Sequence, residues 1–363
     1  MRLLAAASPG EVRVAAVDVT GLVDYAIWRP GAPDGVGDLH RGRVTARAPA
    51  MAGTFVAIEG ADGFLPDSAG GASASVGDVL GVRVTRAAQG GKGPRLTAVL
   101  DEPVPHGDAG LVRRGPDAVR RVAALHPDAE VAVDDPALFA ALRANLGDRL
   151  ALVARAFDEA TEAMVEALEG TAAALPGGAR MTVHPTPALT AIDVDLGSAT
   201  AERSAKNRAQ LAGNRALLPA LARQIRLRNL SGAILVDLAG LSAMKRAALG
   251  PDFAAALIPD PLHPRFLGFT ALGLAEIVRA RVHPPLHELL GTPHAAGLAA
   301  LRHLAREIMA RPALVPALGV APAVATALQA DAIALADLAR RAGRPLILRI
   351  ERGLAPLGWR IEE

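Results

Sequence analysis

The sequence predicts a mixed α/β protein of several domains, an α+β multidomain architecture. From residue 130 onward, short apolar runs of strand type alternate with longer segments of helical periodicity. Residues 38–100 contain only short strand-like runs broken by Gly and Asp, which is typical of a small barrel. The 363 residues are 51% hydrophobic but only 3% aromatic, so we expect two or three domains with closely packed helices.

The first part of the chain is predicted to be rich in strands. Residues 11–28 alternate around Thr20-Gly21, which predicts a hairpin, and a Gly/Pro-rich linker follows at 30–37. After the barrel, a polar connector leads into mixed structure. Its expected elements are helices at 116–125, 136–145 and 158–168, and strands at 130–133 and 180–183.

The second part of the chain is predicted to alternate strands with helices. A long helix at 203–228 joins a strand at 189–196 to a strand at 233–238. We then expect helices at 241–249 and 271–281, and we interpret Glu276 and Arg279 as a structural i,i+3 pair on the latter. For the tail, we expect helices at 297–310 and 322–342, and strands near 313–317, 346–350 and 358–361.

Composition excludes some kinds of site and location. The chain has no cysteine, which rules out disulfides and thiolate metal sites and is compatible with a cytoplasmic location. It has no run of about 20 apolar residues, so no membrane span is expected. The net charge is only +2, so a nucleic-acid partner would have to be recognised by local basic patches.

Acidic residues lie near the ends of the two apolar strands that flank the long helix. Asp193 and Asp195 share one face of the first strand, and Asp237 lies near the end of the second. We expect the strands to be buried neighbours, so that the carboxylates converge at one edge of the sheet. Buried carboxylates are costly unless they are paired or bound to metal, and two at strand ends suit Mg²⁺. Alternatively, these acids cap turns or bind backbone amides.

The segments around these acids resemble the ribonuclease E/G family, whose members are Mg²⁺-dependent endoribonucleases that cut single-stranded RNA. Family sequences read A-L-x-A-I-D-x-N-S-G at the first acid, and residues 188–197 read A-L-T-A-I-D-V-D-L-G. The family continues with I-A-R-Q-L-R-L-R-(D/N)-L-G-G-x-x-V-I-D-F, which residues 221–238 follow almost position by position. The resemblance covers residues 1–290 with one gap, and more faintly the tail.

The resemblance implies roles for the acids and for one amide. Asp193 and Asp237 match the metal-binding acids of the family, so Mg²⁺ is the expected cofactor. Asp195 stands where the family has Asn and would support the same site with an added negative charge. Asn214, on the long helix, matches a family Asn near the metal.

The resemblance also identifies the barrel as an S1 RNA-binding domain. Phe55 and Phe64 fall on the base-stacking positions, and Lys92 and Arg43 are expected to hold the RNA backbone. The alternative for either Phe is a place in the barrel core. Outside the barrel, the helical residues Arg223 and Arg226 share one face, which could bind phosphates or be a solvated basic face.

The implied architecture is a ribonuclease H-like scaffold split by the S1 barrel, followed by a DNase I-like catalytic region and a small C-terminal α/β appendage. The expected bounds are 1–37 and 119–188 for the two scaffold segments, 38–100 for the barrel, 101–118 for a connector, 189–290 for the catalytic region and 291–363 for the appendage.

The chain departs from the family at several places. Only about 20 residues separate Leu100 from the helix near Arg120, so the subdomain that senses a 5′-monophosphate is missing. Without cysteine, the zinc link of the family tetramer cannot form, although another oligomer remains possible. Where the family has S-G-R-A-T-R-G, residues 196–201 read L-G-S-A-T-A, so both arginines are lost, and Ala271 replaces a basic residue. Each lost charge weakens phosphate binding.

The sequence therefore predicts a compact endoribonuclease that hydrolyses single-stranded RNA without 5′-end sensing and leaves 5′-phosphate products. Two alternatives remain open. The chain could be an inactive RNA-binding protein that retains the barrel and the acids, or an Mg²⁺ nuclease that acts on DNA. Loss of the acids distinguishes the first alternative, and competition between RNA and DNA oligomers distinguishes the second.

Overall fold

The computed structural model describes residues 1–105, 107–196, 203–238, 240, 243–311 and 315–362. These residues form two compact units. The first unit comprises Met1–Val17, Ala26–Asp158 and Val282–Glu363, and the second comprises Asp18–Tyr25 and Glu159–Arg281. Both contain helices and sheets, which confirms the predicted mixed α/β class.

The chain begins with three consecutive strands, β1 (Arg2–Ser8), β2 (Glu11–Asp18) and β3 (Gly21–Trp28). They lie side by side in one sheet, with β1 antiparallel to β2. A two-residue turn at 19–20 joins β2 to β3, where Gly21 adopts a φ of 104°. The predicted hairpin is therefore confirmed.

A closed five-strand barrel follows, as the strand pattern of residues 38–100 predicts. Its strands pair in the ring order β4-β5-β6-β8-β7 and back to β4, around a core that includes Val44, Val56, Leu65 and Val82. A sixth strand, β9, adds to β4 from within the segment expected to be only a connector. The bounds are β4 (Leu39–Ala48), β5 (Gly53–Ile58), β6 (Ala61–Pro66), β7 (Val79–Arg86), β8 (Arg95–Thr97) and β9 (Gly110–Arg113).

Two helices and two strands then complete the first sheet. They are α1 (Ala118–Leu125), β10 (Glu130–Val133), α2 (Pro136–Leu146) and β11 (Leu150–Leu152). The strand order becomes β11-β10-β1-β2-β3, with β10 parallel to both β1 and β11. Each helix begins at an Asp whose carboxylate accepts a backbone N–H: Asp117 from Arg120 and Asp135 from Leu138.

The second unit is built on one six-stranded sheet in the order β12-β13-β14-β15-β17-β16. Only β14 and β15 are parallel, because the long helix α4 crosses over between them. The bounds are α3 (Glu159–Glu166), β12 (Ala172–Ala174), β13 (Arg180–Pro185), β14 (Leu189–Asp195), α4 (Arg203–Leu227), β15 (Gly232–Leu238), α5 (Ala243–Ala247), α6 (Gly250–Leu257), β16 (Arg265–Phe269) and β17 (Ala275–Arg279).

This sheet has an apolar face and a polar face. Ile192, Val194 and Val236 belong to a buried cluster with Leu217 and Leu221 of α4 and with the buried apolar residues of α6. The alternate residues of β14 and β15 point the other way and are exposed or half-buried. The two helices therefore cover one face of the sheet and do not cover the residues of the opposite face.

The helix expected at 271–281 is wrong. Residues 265–279 form the antiparallel strands β16 and β17, and Ala275, Ile277 and Arg279 alternate inward. Glu276 and Arg279 consequently lie on opposite faces of a strand and are not a helical pair. Arg279 is buried because it donates to Asp260 at 2.7 Å, an ion pair that the sequence spacing does not reveal.

The tail packs as a small α/β layer around β18, which is parallel to β19 and antiparallel to β20. The single helix expected at 322–342 is two helices, because the Asp331 carboxylate caps the second by accepting from the Ala334 N–H. Part of the strand expected near 313–317 lies outside the described residues. The bounds are α7 (Leu286–Leu290), α8 (Pro293–Ala310), β18 (Ala317–Val320), α9 (Pro322–Ala330), α10 (Ala332–Ala342), β19 (Ile347–Ile350) and β20 (Trp359–Glu362).

Within the described ranges, no individual helix combines the length and apolar character needed to cross a membrane. The consecutive helices α9 and α10 reach that length and composition only when taken together, and they are bent by 86°.

Arg228, which follows α4, stabilises the loop between α3 and β12. Its buried guanidinium donates to the carbonyl oxygens of Ala167, Leu168, Gly170 and Ala172. An Arg228→Leu substitution would leave these acceptors without a donor, so we expect the free energy of unfolding to fall by about 3 kcal/mol. Urea unfolding followed by circular dichroism measures the change.

Arg215→Leu is the matched control, because Arg215 of α4 forms an exposed ion pair with Asp252 of α6. Exposed pairs contribute about 0–1 kcal/mol, so this variant should unfold close to the wild type. Equal losses of stability in the two variants would contradict the structural role of Arg228.

Candidate functional site

The strands β14 and β15 bring two aspartates side by side. The parallel pairing places Asp193 directly opposite Asp237, and both side chains belong to the polar face of the sheet. Neighbouring strands lie about 4.8 Å apart, so the two carboxylates can reach one common ligand. The expectation that these acids converge near the strand ends is confirmed.

The expectation that the acids are buried is wrong. Asp193, Asp195 and Asp237 are all exposed. The physical reason is the one-sided packing of the sheet, since α4 and α6 cover only the face that carries Ile192 and its apolar neighbours. The strands are half-buried, and the acids avoid the cost of desolvation by occupying the polar face.

Asp237 has a cationic neighbour that the sequence interpretation missed. Arg246, at the end of α5, places Nη1 3.5 Å from Asp237 Oδ1. The same guanidinium donates to the carbonyl oxygens of Gly273 at 2.5 Å and Leu238 at 3.2 Å. These backbone contacts hold Arg246 against the end of β15, and Arg246 in turn orients the Asp237 carboxylate.

Gly273 makes room for Arg246. Its φ is +86°, and an added Cβ would lie 2.5 Å from Arg246 Nη1. Gly273 belongs to the turn between β16 and β17, where its N–H donates to the Thr270 carbonyl. The signal in the sequence is weak, because a single Gly in a turn does not indicate which side chain needs the space.

The two supporting residues lie in different environments. Asp195 is on the same face as Asp193, and the antiparallel pairing places Arg180 of β13 opposite it. Asn214 is fully buried on α4. A Cβ at the neighbouring Gly213 would contact Leu196, so this turn of α4 lies beside the end of β14. Asn214 thus lies near the strand end but belongs to the apolar side, and its support of the acids stays a prediction.

The acid pair is compatible with a hard divalent cation. Within the described part of the chain, no three His, Asp or Glu side chains form a ready set of metal ligands. Mg²⁺ does not need one, because it commonly binds through one or two carboxylates and completes its shell with water and substrate phosphate. The segments 197–202 and 241–242, which follow the acid-bearing strands, lie outside the described residues.

Two phenylalanines form an aromatic pair on the barrel. Phe55 of β5 and Phe64 of β6 lie opposite each other, with ring centroids 5.6 Å apart in an edge-to-face arrangement. Both are half-buried, whereas the alternate residues Val56 and Leu65 fill the barrel core. The alternative that Phe55 is a core residue is therefore not supported.

Basic residues lie on the same barrel. Lys92 is exposed in the turn before β8, and Arg43 is exposed on β4, where its guanidinium donates to the Gly77 carbonyl at 3.1 Å. The sequence interpretation missed Arg95, an exposed residue of β8 that pairs with Phe64. The sequence pattern indicates this exposure of Arg95, because strand alternation places Arg95 and Thr97 on one face while Leu96 enters the core.

The two helical arginines differ in their freedom to bind a ligand. Arg226 is largely buried, forms an ion pair with Asp24 at 3.0 Å and donates to the carbonyl oxygens of Val23 and Pro259. These contacts give Arg226 a structural role, and its role in binding RNA stays a prediction. Arg223 donates to Thr20 in contacts that are exposed, so its RNA-binding role stays a prediction.

The contact between Gly273 and Arg246 predicts a specific loss of stability. A Gly273→Ala substitution adds both an unfavourable φ and a clash with Arg246, so we expect the free energy of unfolding to fall by about 2–3 kcal/mol. Gly177→Ala is the control, because Gly177 has a φ of +73° but no atoms near the added Cβ. It should cost only about 1 kcal/mol.

A double-mutant cycle identifies the clash. When Arg246→Ala has already removed the guanidinium, Gly273→Ala should cost no more than Gly177→Ala. An unchanged cost of Gly273→Ala in that background would show that Arg246 is not the group for which Gly273 makes room. Chemical unfolding measures all four proteins of the cycle.

The part of the chain that carries the acid pair matches a known protein family. The model of the "Ribonuclease E/G family" matches residues 140–282. "Ribonuclease E" of Synechocystis sp. is 36% identical over 120 residues, which are 33% of this chain and 18% of that protein. "Ribonuclease G" of Escherichia coli strain K12 is 30% identical over 117 residues, 32% of this chain and 24% of that protein. The matched segment thus spans a quarter or less of these relatives. The segment that carries both aspartates is therefore similar to the ribonuclease E/G family.

Proposed function

We propose that this protein is a Mg²⁺-dependent endoribonuclease that hydrolyses single-stranded RNA. The observation that carries the proposal is the register of β14 and β15, which sets Asp193 beside Asp237 on the polar face. This pair lies inside the segment that matches the ribonuclease E/G family. The relatives carry the names Ribonuclease E and Ribonuclease G, and we assign ribonuclease activity to this chain as part of the proposal.

In the proposed reaction, Asp193 and Asp237 would hold the metal ion. Bound Mg²⁺ would polarise the scissile phosphate and supply an activated water for in-line attack. Arg246 keeps the Asp237 carboxylate at the end of its strand. Asp195 adds negative charge to the same face, and its neighbour across the strands, Arg180, offsets part of that charge. Asn214 would support this end of the sheet from the helix side.

The barrel would hold the RNA strand. The edge-to-face pair of Phe55 and Phe64 offers ring surface for base stacking, and Lys92, Arg43 and Arg95 supply positive charge for phosphates. We infer that the barrel is an S1 domain on this basis. Arg223, on α4, remains a further candidate for phosphate binding.

The finer architecture forms part of the same proposal. The order β3-β2-β1-β10-β11, in which β1, β10 and β11 are parallel to one another, supports a ribonuclease H-like scaffold split by the barrel. The sheet that carries the acids supports a DNase I-like catalytic region at 189–290, followed by the appendage at 291–363. The domain bounds given above remain proposals.

The departures from the family suggest a simplified enzyme. Between β8 and α1, the only regular element among the described residues is β9, which supports the loss of the 5′-monophosphate sensor. The absence of cysteine supports the loss of the zinc link, which leaves other oligomers open. A cytoplasmic location also remains part of the proposal.

The alternative function is RNA binding without catalysis. The observation that favours it is the electrostatic change at the acids, where Asp195 adds a charge and residues 196–201 lack both arginines of the family. Both changes disfavour approach of an RNA phosphate. An inactive protein would still bind RNA through the barrel and would tolerate loss of Asp193 or Asp237.

Cleavage of a 3′-labelled, AU-rich single-stranded RNA in Mg²⁺ tests the proposal. We expect Asp193→Asn and Asp237→Asn each to lower the cleavage rate about 100-fold or more, because each removes a charge that stabilises the transition state through the metal. EDTA should abolish cleavage, and a 5′-monophosphate on the RNA should not change the rate.

Asp128→Asn is the control, because Asp128 is an exposed acid of the first unit, whereas the acid pair belongs to the second unit. It should cleave at the wild-type rate. RNA binding by the wild type with no cleavage in any metal would reject the nuclease and support the RNA-binding alternative. Preferential cleavage of a DNA oligomer would instead support a DNA nuclease.

The barrel surface predicts two separable effects on RNA affinity. Phe64→Ala should weaken binding by about 1–3 kcal/mol, the usual value of one stacked base, with no change in salt dependence. Lys92→Gln should weaken binding and also flatten the dependence of affinity on salt concentration. Fluorescence anisotropy at several salt concentrations measures both effects. Val76→Ala, an exposed apolar position on the barrel, should change neither, and an equal effect of this control would reject the stacking surface.

A further inference from the structure

A pocket of about 310 Å³ lies in the first unit, between the linker after β3 and the start of α1. One side of the pocket is apolar and includes a tryptophan: it is lined by Ile27, Trp28, Pro30, Pro33 and Leu289. The proposed RNA-cleaving reaction does not use any of these residues, because the acid pair belongs to the second unit. The pocket has the size of a small-molecule site, which usually begins at about 300 Å³.

The other side of the pocket is charged, with four arginines and three aspartates. Three of the arginines are committed to nearby carboxylates. Arg29 donates to Glu11 at 3.0 Å, Arg114 donates to Asp38 at 2.7 Å, and Arg120 donates to Asp117. These ion pairs neutralise most of the charge in the wall and fix its shape.

The third aspartate of the wall is also satisfied. Asp34 accepts a hydrogen bond from His283 Nδ1 at 2.5 Å and another from the Val36 N–H. Burial opposes ionisation of Asp34, but these bonds and the His283 charge lower its pKa below the ordinary value. His283 therefore keeps Asp34 ionised as a carboxylate, and Asp34 needs no further cation.

Arg121 is the exception. Within the described ranges, its guanidinium has no hydrogen-bond acceptor and no carboxylate within 4.0 Å, although Asp34 and Asp117 attract it from farther away. The side chain is half-buried, and burial lowers the pKa of its guanidinium. A desolvated cation without a direct partner is costly, and an anion in the pocket would relieve this cost.

We propose that this pocket binds a nucleoside monophosphate, with the phosphate on Arg121 and the base against Trp28. A guanidinium matches the oxygens of a phosphate as a two-pronged donor. The indole of Trp28, with the prolines beside it, offers a flat apolar surface for a base. Among the residues that the structure describes, Arg121 is the charged group of the wall without a direct partner, so the wall attracts an anion. The proposal is independent of the nuclease function, since it needs neither the acids nor the metal.

The test uses the fluorescence of Trp28. The chain has two tryptophans, so a Trp359→Phe background leaves Trp28 as the only reporter. We expect AMP, titrated in EDTA to exclude metal-dependent binding, to change this fluorescence in a saturable way. Adenosine, which lacks the phosphate, and inorganic phosphate, which lacks the base, should each bind at least about 10-fold more weakly, the cost of losing one charged or one stacking contact.

Arg121→Gln should weaken AMP binding at least about 10-fold, because it removes the charge and the two-pronged donor. Arg113→Gln is the matched control, since Arg113 is exposed on β9 and does not line the pocket. Circular dichroism and the thermal midpoint establish that each variant folds. If Arg121→Gln does not fold, Arg121→Lys keeps the charge without the fork and should also weaken binding.

Three results would overturn the proposal. The first is the absence of any saturable response to AMP, and the second is equal AMP affinity in a folded Arg121 variant and the control. The third is equal affinity for AMP and inorganic phosphate, which would show that Trp28 does not receive a base. Activity on RNA is not part of the readout, so failure here leaves the nuclease proposal untouched.

Discussion

The parallel register between β14 and β15 is the constraint on which the candidate site depends. The apolar residues of both strands, such as Ile192 and Val236, must face α4 and α6. Because side chains alternate along a strand, this requirement sends Asp193 and Asp237 to the opposite face. A slip of one residue in either strand would move its acid into the apolar core. Core packing therefore fixes the relation between the two acids.

The same constraint also explains the electrostatic environment of the acids. The acids are exposed, so their charges do not have to be compensated inside the core. Arg246 nevertheless contacts Asp237 from one side, and Gly273 leaves the space that Arg246 occupies. Arg246 thus orients the Asp237 carboxylate, whereas Asp193 has no cationic neighbour among the residues that the structure describes. A cation that binds both acids would also orient the Asp193 carboxylate.

Much of this organisation could be predicted from the sequence, because it rests on local patterns. The hairpin around Thr20-Gly21, the barrel at 38–100 and the alternation of the acid-bearing strands all follow from side-chain periodicity. The prediction of a helix at 271–281 was wrong because the burial of Arg279 depends on Asp260, a partner 19 residues away. The internal contacts of Arg226 could not be predicted for the same kind of reason, since its partner Asp24 is distant in sequence. Arg121 and Arg246 carry no local pattern at all, and only their three-dimensional surroundings distinguish them from other surface arginines.

Direct measurement of metal binding tests the central claim most closely. In the absence of RNA, titration with Mn²⁺ followed by electron paramagnetic resonance counts the ions that the protein binds in place of Mg²⁺. The proposed site predicts a single Mn²⁺ site in the wild type and in Asp128→Asn, with binding lost in Asp193→Asn and in Asp237→Asn. Equal Mn²⁺ binding in all four proteins would show that the paired aspartates do not form the metal site.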